Sequence, residues 1–90
     1  MATVKERVAA GVIWLDEHQP RWIDSIDVAG LDMGECHDCV LGQVYGNFVR
    51  APIEATLHGA FDLVGDEPII RFRTLTREWR RVIRSLKAVA

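Results

Sequence analysis

The chain has 90 residues, 49% of them hydrophobic and 27% charged, and a net charge of −2. That length supports one modest hydrophobic core and excludes a second domain, while the balance of apolar and charged residues excludes a disordered, solvated chain. The longest uncharged apolar run, Ala9 to Leu15, falls far short of the roughly 20 residues of a membrane-spanning helix, and no basic-then-apolar leader precedes it. A cytoplasmic location without membrane association is therefore expected.

In chain order, the first helix is expected to open at Thr3, which precedes Glu6 at capping-box spacing. Val4, Val8, Val12 and Leu15 continue it as one stripe, which stops at His18-Gln19-Pro20. Pro20 suits the first turn of a short second helix carrying Trp22, Ile23 and Ile26. Asp32 and Glu35 repeat the capping-box spacing ahead of a longer third helix, placed over residues 33–50. Pro52 begins a short fourth helix ending near His58, with Gly59 as its left-handed cap.

Between residues 61 and 74 a turn signal, Gly65-Asp66-Glu67-Pro68, precedes a period-two alternation of Ile70, Phe72 and Thr74 with Arg71 and Arg73. A short β-hairpin and an irregular connection fit this stretch equally well, because an isolated hairpin is only marginally stable. The last helix spans about Leu75 to Ala88. The expected fold is one mainly α domain over residues 1–90, a compact bundle of about five helices. Its expected core is Val8, Val12, Leu15, Trp22, Ile26, Leu41, Val44, Tyr45, Phe48, Trp79, Ile83 and Leu86.

Both cysteines lie in ECHDCVLGQVYG, residues 35–46. Drawn as a helix, the segment gathers Val40, Leu41, Val44, Tyr45, Phe48 and Val49 on one arc and puts Cys36 and Cys39 opposite. A structural zinc ion normally takes four ligands. Cys36 and Cys39 supply two, and His18 and His58, at expected helix ends, are the remaining candidates, but no second CxxC and no HxxxH is present. Thiol redox catalysis lacks its strand-helix-strand context. The favoured expectation is packing thiols, with no metal and no cofactor. Gly42 and Gly46 each cost a helix about 1 kcal/mol, which points to close approach of the first helix or, less favoured, of a second copy in a homodimer.

Charge is distributed unevenly. Residues 1–66 carry a balance of −7, and residues 67–90 one of +5. On the last helix Leu75, Trp79, Val82, Ile83, Leu86 and Val89 share one face, and Arg77, Arg80, Arg81, Arg84 and Lys87 share the other. The bland interpretation is a solvated outer face. The functional one is a partner-binding face, since arginine suits planar bidentate acceptors such as carboxylates and phosphates. An acidic protein surface fits better than nucleic acid, because the acidic remainder of the chain repels phosphate. No nucleophilic triad, P-loop, dinucleotide glycine pattern or HExxH is present, and Asp16, Glu17 and His18 are consecutive on a helix and point apart. The expected function is thus a non-enzymatic protein-interaction module, with a nucleic-acid-binding accessory protein and a small zinc-stapled domain as alternatives.

The combination of RVAAGVIWLDEHQPRWIDSIDVAGLDM, CHDCVLGQVYG and LTREWRRVI resembles a group of small proteins encoded by actinobacteria and their bacteriophages. That group shares the order of a helix, Leu-Asp, a Pro-Xaa-Trp step, Leu-Asp, and Cys-Val-Leu-Gly-Gln-Xaa-Tyr-Gly, and the resemblance covers most of the chain. No activity is attached to the group. The resemblance implies origin in a phage or mobile element, and by analogy an interaction module acting on a host or phage protein. The isoleucine- and arginine-rich stretch 69–73 departs from the group's pattern.

Overall fold

Helix α1, Val4–His18, begins as the capping box requires: the Glu6 amide donates to Thr3 Oγ1 at 3.1 Å, and the Glu6 carboxylate accepts from the Thr3 amide at 3.4 Å. The structure, a computed structural model, describes residues 3–52, 58–61 and 72–89. Past Pro20 the chain makes a 3-10 turn, Trp22–Ser25, in place of the expected second helix. Trp22 is buried beneath it, and its indole N–H donates to Asp16 on α1 at 2.9 Å. Helix α2 is short, Val40–Tyr45, and is followed by a second 3-10 turn, Phe48–Arg50. Helices α3, His58–Phe61, and α4, Phe72–Val89, complete the described elements.

Helix α1 packs on both α3 and α4, and the Trp22–Ser25 turn bridges α2 and α4. The tightest crossing is at Gly11. A Cβ there would meet Trp79 Cζ2 at 2.9 Å, and Ala60 Cβ and Phe61 Cζ at 3.0 Å each, so the absent side chain is what lets α1 lie against the Trp79 ring. Trp79 is fully buried. Its indole N–H donates to the Ala60 carbonyl at 2.7 Å, its ring stacks on Phe61 with centroids 5.4 Å apart, and it meets Trp22 edge-on at 6.1 Å.

The chain is mainly helical, as expected, but not as five helices in the expected places. Among the described residues there are four α-helices, two 3-10 turns and no strand. The expected third helix over 33–50 is broken at both ends. Asp32 does not cap a helix with Glu35; its carboxylate accepts from the Gly34 amide at 2.9 Å, and residues 33–39 form successive turns. Gly46 then takes φ 89° and ends α2 after six residues. Gly59 lies inside α3 instead of capping a helix, and residues 53–57 lie outside the described residues.

Both flanks of the expected hairpin are helical. Phe61 ends α3, and Phe72 to Thr74 form the first turn of α4; residues 62–71 lie outside the described residues. The physical reason is the stripe Phe72, Leu75, Thr76, Trp79, whose helical period extends the apolar face of α4 one turn earlier than a two-residue alternation suggests. Of the expected core, Leu86 is 39% exposed, and Val12, Val44, Tyr45 and Phe48 are only partly covered. Trp14, Leu31, Met33, Val40, Ala60, Phe61 and Leu75 are buried in their place.

Trp79→Phe retains most of the ring contact but leaves the Ala60 carbonyl without its donor. It is expected to lower stability by about 1–3 kcal/mol, measured as a shift of the urea midpoint. Trp22→Phe, whose acceptor Asp16 is solvent-exposed, should cost less.

Candidate functional site

The outer face of α4 forms one wall of an open groove of about 930 Å³; Ala29 to Asp32 and Asp38 form the other. Two hydrogen bonds join the walls. The Met33 amide donates to Thr76 Oγ1 at 2.9 Å, and Arg80 Nη2 donates to the Leu31 carbonyl at 2.9 Å. The loop wall is braced from behind by Gln43 of α2. Its side-chain amide donates to the Asp38 and Asp27 carbonyls at 2.9 and 3.2 Å and accepts from the Asp27 amide at 2.6 Å.

Of the expected partner-binding residues, Arg77, Arg80, Arg81 and Arg84 line this groove, and Lys87 is exposed farther along the helix. They are not equivalent. Arg80 is partly buried and committed to Leu31, and its Nε is buried with no hydrogen-bond partner among the described residues. Arg81 is paired with Glu78: its Nε donates to the two carboxylate oxygens at 3.1 and 3.2 Å. That hydrogen bond holds the Glu78 carboxyl below its ordinary value. Arg77 and Arg84 are exposed and have no ion-pair partner among the described residues. Arg73 joins them on the groove wall. The period-two alternation places it before the last helix, in a hairpin or an irregular connection; the extended α4 stripe is the signal that finds it.

The cysteines occupy a turn and a cap, not a helix face. Cys39 is buried and is the N-cap of α2, its Sγ accepting from the Gly42 amide at 3.2 Å, while Cys36 is exposed. Both are free thiols. Cys39 is thus packed into the core and Cys36 is not. Burial pushes the Cys39 thiol up, against the backbone amides that donate to it. A Cβ at Gly42 would overlap the Cys36 carbonyl oxygen and lie 2.7 Å from the His37 carbonyl carbon and oxygen. Gly42 thus makes room for the chain's own preceding turn and not for α1. His37 Nδ1 donates to the Gly46 carbonyl at 3.0 Å and closes the turn around α2.

His18 does not join the cysteines. It stacks on Trp14 at 4.3 Å, and its Nδ1 donates to the Trp14 carbonyl at 2.9 Å. The His58 side chain lies outside the described residues. Among those described, no three His, Cys, Asp or Glu side chains are grouped to hold a metal ion. Asp16 accepts from the Trp22 indole and His18 donates to the Trp14 carbonyl, so both take part in the fold's own hydrogen bonding. No protein-family model matches the sequence, and no curated protein or solved structure matches it.

Iodoacetamide at mildly alkaline pH is expected to alkylate Cys36 in the folded protein and to reach Cys39 only on unfolding, as mass spectrometry of the digested chain would show. Gly42→Ala is expected to cost about 1–3 kcal/mol by displacing backbone that has nowhere to move, read from thermal denaturation.

Proposed function

We propose that this chain is a small non-enzymatic protein-interaction module that engages an acidic protein surface through α4. Arg73, Arg77, Arg84 and Lys87 make the contacts, and Arg80 holds the opposite wall of the groove in place. The observation that carries this reading is the row of exposed guanidinium groups, Arg73, Arg77 and Arg84, without carboxylate partners among the described residues on one wall of an open groove. A planar guanidinium recognises a carboxylate bidentately, and each such pair gains where the partner surface excludes water.

Asp32 and Asp38 on the facing wall favour a protein over a nucleic acid. A phosphate backbone presents uniform negative charge and is repelled by two carboxylates, whereas a protein surface can offer acids to α4 and bases to Asp32 and Asp38. No helix among the described residues is long and apolar enough to cross a membrane. The phage or mobile-element origin that the resemblance implies suits a module directed at a host or phage protein.

The test is fluorescence anisotropy with a glutamate-rich peptide and, separately, a random-sequence DNA duplex. Expected is peptide binding that weakens with salt and is reduced more than about tenfold by Arg77→Glu with Arg84→Glu, two exposed changes that spare the fold. Tighter binding of the duplex transfers the function to nucleic acid. Peptide binding that survives the double reversal removes α4 as the contact surface.

A further inference from the structure

Three of the chain's four sulfur-bearing residues, Met33, Cys36 and Cys39, line a single pocket of about 180 Å³. We propose that this pocket is a site for a soft univalent metal ion, copper(I) or silver(I), held by the Cys36 and Cys39 thiolates and the Met33 thioether. The ligand set selects the ion. Zinc and harder cations need further nitrogen or oxygen donors, and no third His, Cys, Asp or Glu stands with the cysteines among the described residues. Univalent copper and silver accept two or three sulfur donors, and thiolate with thioether is the soft set they prefer.

The surroundings suit such an ion. Met33 is 3% exposed and Cys39 1% exposed, so two donors are already removed from water, while exposed Cys36 provides the way in. Among the described residues, Phe48, Phe61 and Phe72 line the pocket with them, together with Gly34. An apolar wall limits water and oxidant at the metal, which favours the reduced ion. The Gly42 amide donates to Cys39 Sγ at 3.2 Å, a contact that persists and strengthens when the sulfur becomes a thiolate. Cys39 Sγ also donates to the Cys36 carbonyl at 3.8 Å, which sets the two cysteines side by side at the pocket. Gly42 is what permits this juxtaposition, since any larger residue would push the Cys36-His37 backbone off α2.

The binding step is an exchange with no change of oxidation state. Copper(I), delivered as a complex with a small thiol, forms two copper–thiolate bonds and one thioether bond; the thiol leaves, and the two cysteine protons pass to it and to solvent.

The experiment is an anaerobic titration of the reduced full-length protein with copper(I) in competition with bicinchoninate, repeated for Met33→Leu and Cys36→Ser, with circular dichroism to confirm that each variant is folded. Expected is one copper(I) per chain, loss of stoichiometric binding in Cys36→Ser, and affinity weakened more than about tenfold in Met33→Leu, with excess zinc failing to displace the ion. Saturation below one copper(I) per chain, equal affinity in Met33→Leu, or displacement by zinc would overturn the proposal. The double reversal at Arg77 and Arg84 should leave copper(I) affinity unchanged, because those residues line a different cavity.

Discussion

The indole of Trp79 is the contact on which the remaining structure depends. One side chain touches three segments: it donates to the Ala60 carbonyl, stacks on Phe61, and meets Trp22 edge-on, with Gly11 of α1 directly against its ring. A buried indole N–H without an acceptor, or a buried carbonyl without a donor, costs a large fraction of the stability a small domain possesses. The geometry at Ala60 therefore fixes the rotation of α4 about its own axis. Once Trp79 faces inward, Leu75 and Ile83, one turn to either side, are buried with it, and Arg77 and Arg84 are left facing solvent.

The same rotation organises the segment from Ala29 to Cys39. Thr76 receives the Met33 amide, and Arg80 donates to the Leu31 carbonyl. That segment has no regular structure of its own and is held by α4 on one side and by Gln43 of α2 on the other. It thereby serves two purposes, as the acidic wall of the arginine groove and as the carrier of the three sulfur-bearing residues. The arginines divide accordingly: Arg80 holds the scaffold, Arg81 is paired with Glu78, and Arg73, Arg77, Arg84 and Lys87 are exposed without an ion-pair partner among the described residues.

Elements governed by local chemistry were legible in the sequence, and those governed by distant contacts were not. Thr3 with Glu6 announces α1 because both halves of the capping box lie within one stretch of four residues. The division of α4 into apolar and basic faces is equally local. Asp32 with Glu35 has the same spacing and fails, since the Asp32 carboxylate finds the Gly34 amide first. Trp14 was omitted from the expected core although it is buried; its neighbours are His18, Tyr45 and Phe61, two of them distant in sequence. Leu86 was included on helical period alone, and nothing at that end of α4 covers it fully. The groove was half legible: its basic wall follows from the helical wheel, while its acidic wall depends on a loop whose position is set by Thr76, Arg80 and Gln43.

The most direct measurement is native-state hydrogen exchange of the Trp79 indole N–H and the Met33 amide, compared with backbone amides in the middle of α1. If α4 is anchored as described, both protons exchange only with global unfolding, at the same opening free energy as the α1 amides. Exchange of the Trp79 indole or the Met33 amide by local opening, while the α1 amides stay protected, would contradict it. In that case α4 is not held in register, and neither the arginine wall nor the sulfur pocket has a fixed geometry.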